Sequence, residues 1–412
     1  MAVHLPMSDP LSPSQRPKRR LIANLLAQLA FGLLSMTLCL PSMQAWGAVF
    51  GRDQAAVQLT FSGFVVAYGV LQLVYGPLSD RLGRKRVLLF GLALACLGSV
   101  LAALADSLWT LVAARVLQGA GCAAGMVVGR AMVQDLFEGP ERTRVMAYVG
   151  MAMGFCPPLA TVLGGQLHVW LGWQANFVLM ALMAVGLWVA AWRGLPDHRR
   201  AEAVPAHWWP TMLAAYKRLG REPAFVAFVV ILSSTTASFY AFLAGAPIVL
   251  GSYGVGPAGV GFYIMVGPLS YIVGNFLTTH LVHRWHERTI MRVGQALTVS
   301  GISTMVGLAL AGLHTPLAFA LPMVLLGLGN GLLVPPALAG TVGLLPALAG
   351  AAAAVAGLMQ QLMGALGGFL VGLFSHEDAV NLGLLMLGLA GCGVVAQVWL
   401  HSVIRQRPGT PG

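Results

Sequence analysis

Twelve long apolar runs dominate the chain, at 21–43, 56–79, 87–105, 109–133, 144–166, 172–193, 223–246, 257–280, 290–312, 317–339, 350–374 and 379–402. Each approaches the roughly twenty residues that an α-helix needs to cross the hydrocarbon core of a bilayer. Hydrophobic residues make up 58 % of the chain and charged residues 9 %, against about a quarter charged in a soluble domain. So few charges cannot cover so much apolar surface in water. In lipid the backbone must satisfy its own polar groups, which leaves helices or closed barrels. The runs are continuous rather than short and alternating, so a barrel is excluded. The expected fold is an all-α membrane protein with twelve transmembrane helices. No nucleophile–base pair and no glycine-rich phosphate loop with its lysine occurs, so neither an enzyme nor a cofactor is expected.

The basic residues fix an expected orientation. Lys and Arg number 24 against 13 Asp and Glu, and they alternate by loop. One side collects Arg16, Lys18, Arg19 and Arg20, then Arg81, Arg84, Lys85 and Arg86, then Arg142 and Arg144, Arg199 and Arg200, Lys217, Arg218 and Arg221, Arg284, Arg288 and Arg292, and Arg405 and Arg407. The other side holds Arg52. The positive-inside rule puts the first side, and both termini, in the cytoplasm. The same segregation accounts for the basic balance without nucleic acid. The first run is too long for a secretory signal and is read as span 1. The five cysteines are scattered through the spans with no metal or disulfide spacing.

The longest polar break lies at 194–222, with six runs before it and six after. The expected organisation is a cytoplasmic tail over 1–20, a six-helix half over 21–193, a cytoplasmic linker over 194–222, a second six-helix half over 223–402 and a tail over 403–412. Trp208, Trp209, Lys217 and Arg218 suit a basic amphipathic helix lying at the interface, or else a flexible connection. A weak repeat relates the halves. Asp80-Arg81-Leu82-Gly83-Arg84-Lys85 answers to His283-Arg284-Trp285-His286-Glu287-Arg288, and Leu117-Gln118-Gly119-Ala120-Gly121 to Leu326-Gly327-Leu328-Gly329-Asn330-Gly331.

The connection from span 2 to span 3 reads Gly76-Pro77-Leu78-Ser79-Asp80-Arg81-Leu82-Gly83-Arg84-Lys85-Arg86. Gly83 suits a turn that a side chain would block, and Asp80 at a helix end can face a helix N-terminus. This segment resembles the signature of the major facilitator superfamily. Gln72-Leu73-Val74-Tyr75 ahead of it, Arg130 and Asp135 on span 4 and Gly172-Trp173-Gln174 opening span 6 are similar to the bicyclomycin and chloramphenicol resistance (Bcr/CflA) branch of twelve-helix drug–proton antiporters. The resemblance implies two rocking six-helix halves, export of drugs or other amphipathic small molecules, and a bacterial cytoplasmic membrane. It makes Gly76, Asp80, Arg81, Gly83 and Arg84 a cytoplasmic gate, with Arg81 and Arg84 reaching the opposite half. The expected partners are a small-molecule substrate, protons and the bilayer, with one chain as the working unit.

Arg115, followed by Gln118-Gly119, matches the family's second signature. A charge this deep in a span by default marks a substrate or ion pathway. Tyr68, Gln72, Gln28 and Thr37 are the neutral polar residues expected along the same pathway. Amides such as Gln28 serve equally well as glue between helices. In span 5, Pro157 and Pro158 are expected to bend the helix, and Gly164-Gly165 to form a close contact with the second half. Thr161 stands where the branch usually has proline. The branch also commonly carries an aspartate near the end of span 1, and here the matching position is Thr37. None of the thirteen acids falls in the middle of a run. The thin candidates for proton uptake are Asp53, His168 and Asp135. Without such a site, the alternatives are a carrier of an organic anion or neutral metabolite, with Arg115 pairing the anion, or a membrane sensor that transports nothing. His280, His283 and Glu287 share a helical spacing but lack a fourth ligand, so a solvated loop and no metal is expected.

Overall fold

The computed structural model describes residues 15–197, 208–345, 348–374 and 379–405. It is helical almost throughout, and twelve of its helical segments are long and apolar enough to span a membrane. Span 1 is α1 (Gln15–Thr37), a 3-10 turn (Leu40–Ser42) and α2 (Met43–Phe50). Spans 2 to 6 are α3 (Gln54–Leu82), α4 (Arg84–Ala103), α5 (Leu108–Leu136), α6 (Gly139–Leu171) and α7 (Gln174–Gly194). A separate helix, α8 (Trp208–Gly220), precedes span 7, which is α9 (Pro223–Ser252). Span 8 is α10 (Pro257–Ile264) with α11 (Val266–Leu281), and span 9 is α12 (Glu287–Leu310). Span 10 is α13 (Pro316–Ala320) with α14 (Met323–Gly343). Spans 11 and 12 are α15 (Ala349–Val371) and α16 (Ala379–Arg405).

Two differences from the sequence reading have local causes. Residues 43–50 belong to a helix rather than a loop. Pro41 lacks the N–H that would continue α1, the chain turns through Leu40–Ser42, and Met43–Phe50 then buries Met43 and Trp46. At the other end α1 starts ahead of residue 21, where Lys18 meets Glu141 of α6 at 2.6 Å. Within the linker, 198–207 lie outside the described residues, as do the ends of both tails. The α8 helix does form. Its Leu219 is fully buried with Ala224, Phe225, Ala352 and Leu400, while Lys217 and Arg218 stay exposed.

Spans 1–6 and 7–12 form the two halves. Small residues let helices within each half touch backbone to backbone. A methyl group on Gly121 would overlap α4 at Gly91 and Ala95, and one on Gly274 would overlap α14 at Leu328. Between the halves, close contact lies toward the face opposite the termini. There Gly372 meets Ala55, Gly368 meets Phe61, Gly261 meets Thr161, and Phe61 packs edge-on to Tyr240 with centroids 5.7 Å apart. Gly69 against Gln361 and Gly154 against Ile272 are the deepest of these approaches. Nearer the termini, Gly150, Gly343, Gly350 and Gly357 meet nothing within 4 Å. One buried apolar cluster runs through both halves, from Leu38 and Phe64 to Phe242 and Ala365. A second cluster, built around Phe225, Ile231 and Leu333, stays within the second half. Among the described residues, the halves are therefore closed on one face and parted on the face that carries the termini.

Candidate substrate pathway and gates

The turn between α3 and α4 requires Gly83, whose φ of 98° a side chain would strain. That turn sets Arg84 at the start of α4, almost fully buried. Its Nη2 lies 2.6 Å from Asp80 Oδ1, an ion pair by distance that lacks hydrogen-bond alignment. Its Nε donates to Asp135 Oδ2 at 3.0 Å, and its Nη1 to Ser79 Oγ at 2.6 Å. All three partners belong to the same half, so Arg84 does not reach across as expected. The halves stand apart at this end, and the guanidinium turns to the acids beside it. Arg81 is exposed at the rim, and Gly76 faces Val127 of α5.

Arg115 and Gln118 come together, but away from any opening. Both are fully buried inside the first half. Arg115 Nη1 donates to Ser35 O at 3.0 Å and to Gln118 Oε1 at 2.5 Å, and Nε donates to Thr60 O at 3.4 Å. The guanidinium also lies 4.2 Å from the centre of the Phe64 ring. Gln118 Nε2 donates to Ser99 Oγ at 2.7 Å and lies 3.1 Å from Met180 Sδ. Arg115 and Gln118 together thus tie α1, α3, α4, α5 and α7. Carbonyl oxygens and an aromatic face take the place of a carboxylate beside the buried cation, whose Nη2 has no hydrogen-bond partner among the described residues. The expected substrate-facing arginine is, in this conformer, the centre of a packed polar node.

The remaining pathway residues are spread out. Gln28 Nε2 donates to Leu187 O at 2.9 Å and to Asn24 Oδ1 at 3.0 Å, so it holds α1 to α7. Thr37 is fully buried and its hydroxyl donates to Leu33 O. Tyr68 is buried against Gly32 and stacked on Phe64, and its hydroxyl has no protein partner. Gln72 is half-buried one turn along. Asp53 caps α3 by accepting from Ala56 N. Among the described residues every Asp and Glu lies at a helix end or in a connection. No group of three or more metal-ligating side chains gathers among them either. His280 sits against Phe276, with ring centres 4.6 Å apart.

Helix α6 runs without interruption through Pro157 and Pro158. Thr161 hydrogen-bonds back to the carbonyls of both prolines at 3.0 Å, a pattern that bends helices slightly. The adjacent glycines 164 and 165 face different neighbours. Gly164 lies on the Leu38 carbonyl of span 1, within the half, and Gly165 on the Pro257 carbonyl of the other half.

On the closed face the halves are joined by hydrogen bonds that the sequence did not announce. Gln44 Nε2 donates to the carbonyls of Pro247 and Val255, and Gln58 Nε2 donates to Ala244 O at 3.1 Å. Ser62 Oγ donates to Ala365 O at 2.9 Å, and Gln166 Nε2 to Ala258 O at 3.4 Å. Each runs from a neutral side chain of the first half to a backbone carbonyl of the second. A pocket of about 470 Å³ lined by Gln44, Gln54, Ile248 and Gly251 opens beside this seam. The only sequence signal for it was the Leu40-Pro41 break that presents Gln44.

Twelve spans in two halves, closed on one face and parted on the other, define a secondary transporter that works by alternating access. Residues 21–368 match the family model of the Major Facilitator Superfamily, and the chain belongs to that family. It is 28 % identical to a chloramphenicol resistance protein of Pseudomonas aeruginosa, over 87 % of this chain and 86 % of that one. It is 27 % identical to multidrug resistance protein D of Escherichia coli, over 94 % and 98 %. A bicyclomycin resistance protein homolog of Haemophilus influenzae is 25 % identical over 92 % and 96 %. These relatives bear out the resemblance to the Bcr/CflA branch. Among solved structures, a POT peptide transporter bound to alafosfalin superposes with a TM-score of 0.76 at 14 % identity, covering 94 % of this chain and 96 % of that one. A bacterial homolog of the lysosomal transporter Spinster, inward-facing and unoccupied, gives 0.72 at 14 %, covering 96 % of each. At such identities these structures speak for the fold alone. Twelve apolar helices and bacterial relatives of this kind make the chain a multi-pass protein of the bacterial inner membrane.

Proposed function

We propose that this chain exports drugs or other small amphipathic molecules across the inner membrane in exchange for protons. The observation that carries the reading is its likeness, over nearly its whole length, to chloramphenicol, multidrug and bicyclomycin resistance proteins. In this reading 21–193 and 223–402 are the two rocking bodies, and one chain is the working unit. The termini lie in the cytoplasm, so the conformer described above is the one that loads substrate from inside. Asp80, Gly83 and Arg84 then form the cytoplasmic gate, whose ion pairs within the first half are the open arrangement. The test is efflux of chloramphenicol or an ethidium-like dye from proteoliposomes with an imposed pH gradient. Efflux that survives collapse of the gradient unchanged would refute proton exchange. Asp80→Asn is expected to reduce flux several-fold while membrane insertion is unaffected, and full flux in that variant would remove the gate assignment.

A second reading has one observation in its favour. Among the described residues no carboxylate lies within the middle of a span, so a carrier without proton coupling fits equally well with the positions of the acids. Gradient-independent flux in the same proteoliposomes selects it.

A further inference from the structure

The seam on the closed face depends on where α2 sits, and α2 is held at its first turn by a polar cluster. Ser42 ends the Leu40–Ser42 turn, is fully buried, and directly precedes α2. Asn176 of α7, also fully buried, donates through Nδ2 to Ser42 Oγ at 2.9 Å and to Gly164 O at 3.2 Å. His168 of α6 places Nδ1 2.9 Å from the same Ser42 Oγ. Two residues after Ser42, Gln44 donates to Pro247 and Val255 of the other half. The cluster and the seam are thus joined by one short stretch of chain.

The charge on His168 decides the strength of this bond. With a neutral imidazole, the bond between Nδ1 and Ser42 Oγ is an ordinary one whose direction follows the tautomer of the ring. With a protonated ring, Nδ1–H donates to Ser42, and the bond becomes charge-assisted and roughly twice as strong. Two further features place the ring. His168 lies in the last turn of α6, whose carbonyl end attracts a cation. It is half-buried, four residues before the turn at Gly172 that ends the span on the face opposite the termini.

No fixed charge competes for the ring. The elements packed on α6 are α1, the Leu40–Ser42 turn, α5, α7, α10 and α11. Near the termini-bearing ends, these elements and α6 itself carry Arg16, Lys18, Arg19, Arg20, Arg130, Asp135, Glu141, Arg142, Arg144 and Arg193, with His280 on α11. Arg115 of α5 is engaged by Ser35 and Gln118. The other titratable side chains named on these elements are Tyr263 on α10, Tyr271 on α11, Cys39 in the turn and Cys122 on α5. On the closed face, Arg52, Asp53 and Asp106 lie in connections, and among the described residues no carboxylate comes within ion-pair distance of His168.

We infer that His168 is the group through which acidity on the face opposite the termini favours closure of that face, acting through Ser42 on α2 and so on Gln44. The step is a simple protonation: a proton from the water at that face adds to the imidazole, and no other bond is made or broken. This deepens the proton-exchange reading and rests on it for its role in the cycle. A proton taken up from the acidic side after the drug has left would drive the return to the conformer described above.

The test uses the full chain in nanodiscs, spin-labelled at Arg52→Cys and Leu313→Cys on the two sides of the seam, with Cys96, Cys156 and Cys392 replaced by Ala. Between about pH 8 and pH 5 the population with the short interlabel distance is expected to rise about five-fold, the added strength of one charge-assisted bond. His168→Gln keeps a hydrogen-bonding side chain but cannot titrate, and its distribution is expected to be flat across that range. Ser42→Ala, which leaves the ring titratable but detached from α2, is expected to be flat as well. A pH response that persists in His168→Gln, or none in the wild-type chain, overturns the inference. If the response is present and vanishes in both variants while drug flux in proteoliposomes ignores the pH gradient, His168 keeps its role and the exchange reading falls instead.

Discussion

Gly165→Ala tests the closed seam at its most sterically exacting point. A methyl group there would overlap the Pro257 carbonyl oxygen and stand 3.1 Å from its carbon and 3.3 Å from Ala258 Cα. All three are backbone atoms at the start of α10, so no side chain can swing aside. Relief requires α6 and α10 to separate. Overpacking of this kind costs about 1–3 kcal/mol, and at 1.4 kcal/mol per decade the closed-to-open ratio falls roughly 5- to 150-fold. The gain in helix propensity from Gly to Ala, about 0.5–1 kcal/mol, applies to both conformers and cancels in that ratio. Gly150→Ala on the same helix is the control, because a methyl group there meets nothing within 4 Å. Distance distributions between labels at positions 52 and 313 give the ratio directly. Gly165→Ala should shift weight to the long distance, and Gly150→Ala should not remove the short one. An unchanged distribution in Gly165→Ala, with normal efflux, would mean that α6 and α10 are not the surfaces that close.

Three other outcomes follow from the geometry. Gln118→Leu removes the acceptor from a fully buried guanidinium, and the stability lost should be about 1–3 kcal/mol, read as a lower melting temperature in detergent. Arg84→Gln leaves Asp80 and Asp135 facing each other without their shared cation, and a similar loss of about 1–3 kcal/mol is expected, with Asp135→Asn costing less. Tyr216 of α8 is half-buried, and burial pushes its phenol above the ordinary range. Its contribution to docking of α8 is therefore complete below about pH 10, where the free phenol titrates, and declines above it. A spin label at Arg221 should become mobile at such pH in the wild-type chain and not in Tyr216→Phe.

The spans were legible because lipid allows so few solutions: twenty apolar residues in a row have little choice but to be a helix. What escaped the sequence was set by partners distant along the chain. Residues 43–50 are apolar but too few to span, and only the turn at Pro41 shows that they continue span 1. The depth of Arg115 was readable, yet its surroundings were not, since two of its partners are the backbone carbonyls of Ser35 and Thr60, which every residue type carries. Gly164 and Gly165 look alike in sequence. One full helical step of about 100° between neighbours sends one to span 1 and the other across the seam. Arg84 was expected to face the opposite half, but a sequence is the same in every conformer, and with the halves parted Arg84 pairs with Asp80 and Asp135.

The hydrogen bonds described across the closed face run one way, from Gln44, Gln58, Ser62 and Gln166 to main-chain oxygens at 244, 247, 255, 258 and 365. An oxygen of the main chain is present whatever side chain its residue bears. The two sides of the seam therefore differ in how much substitution they tolerate. On the donor side the residue type is dictated, whereas on the acceptor side only backbone path and bulk are. A saturation scan of the closing surface should produce a lopsided map, intolerant of polar-to-apolar exchange in the first half and indifferent to it in the second. Because these bonds involve no formal charge, the grip they give one half on the other should also be the same in dilute buffer and in concentrated salt.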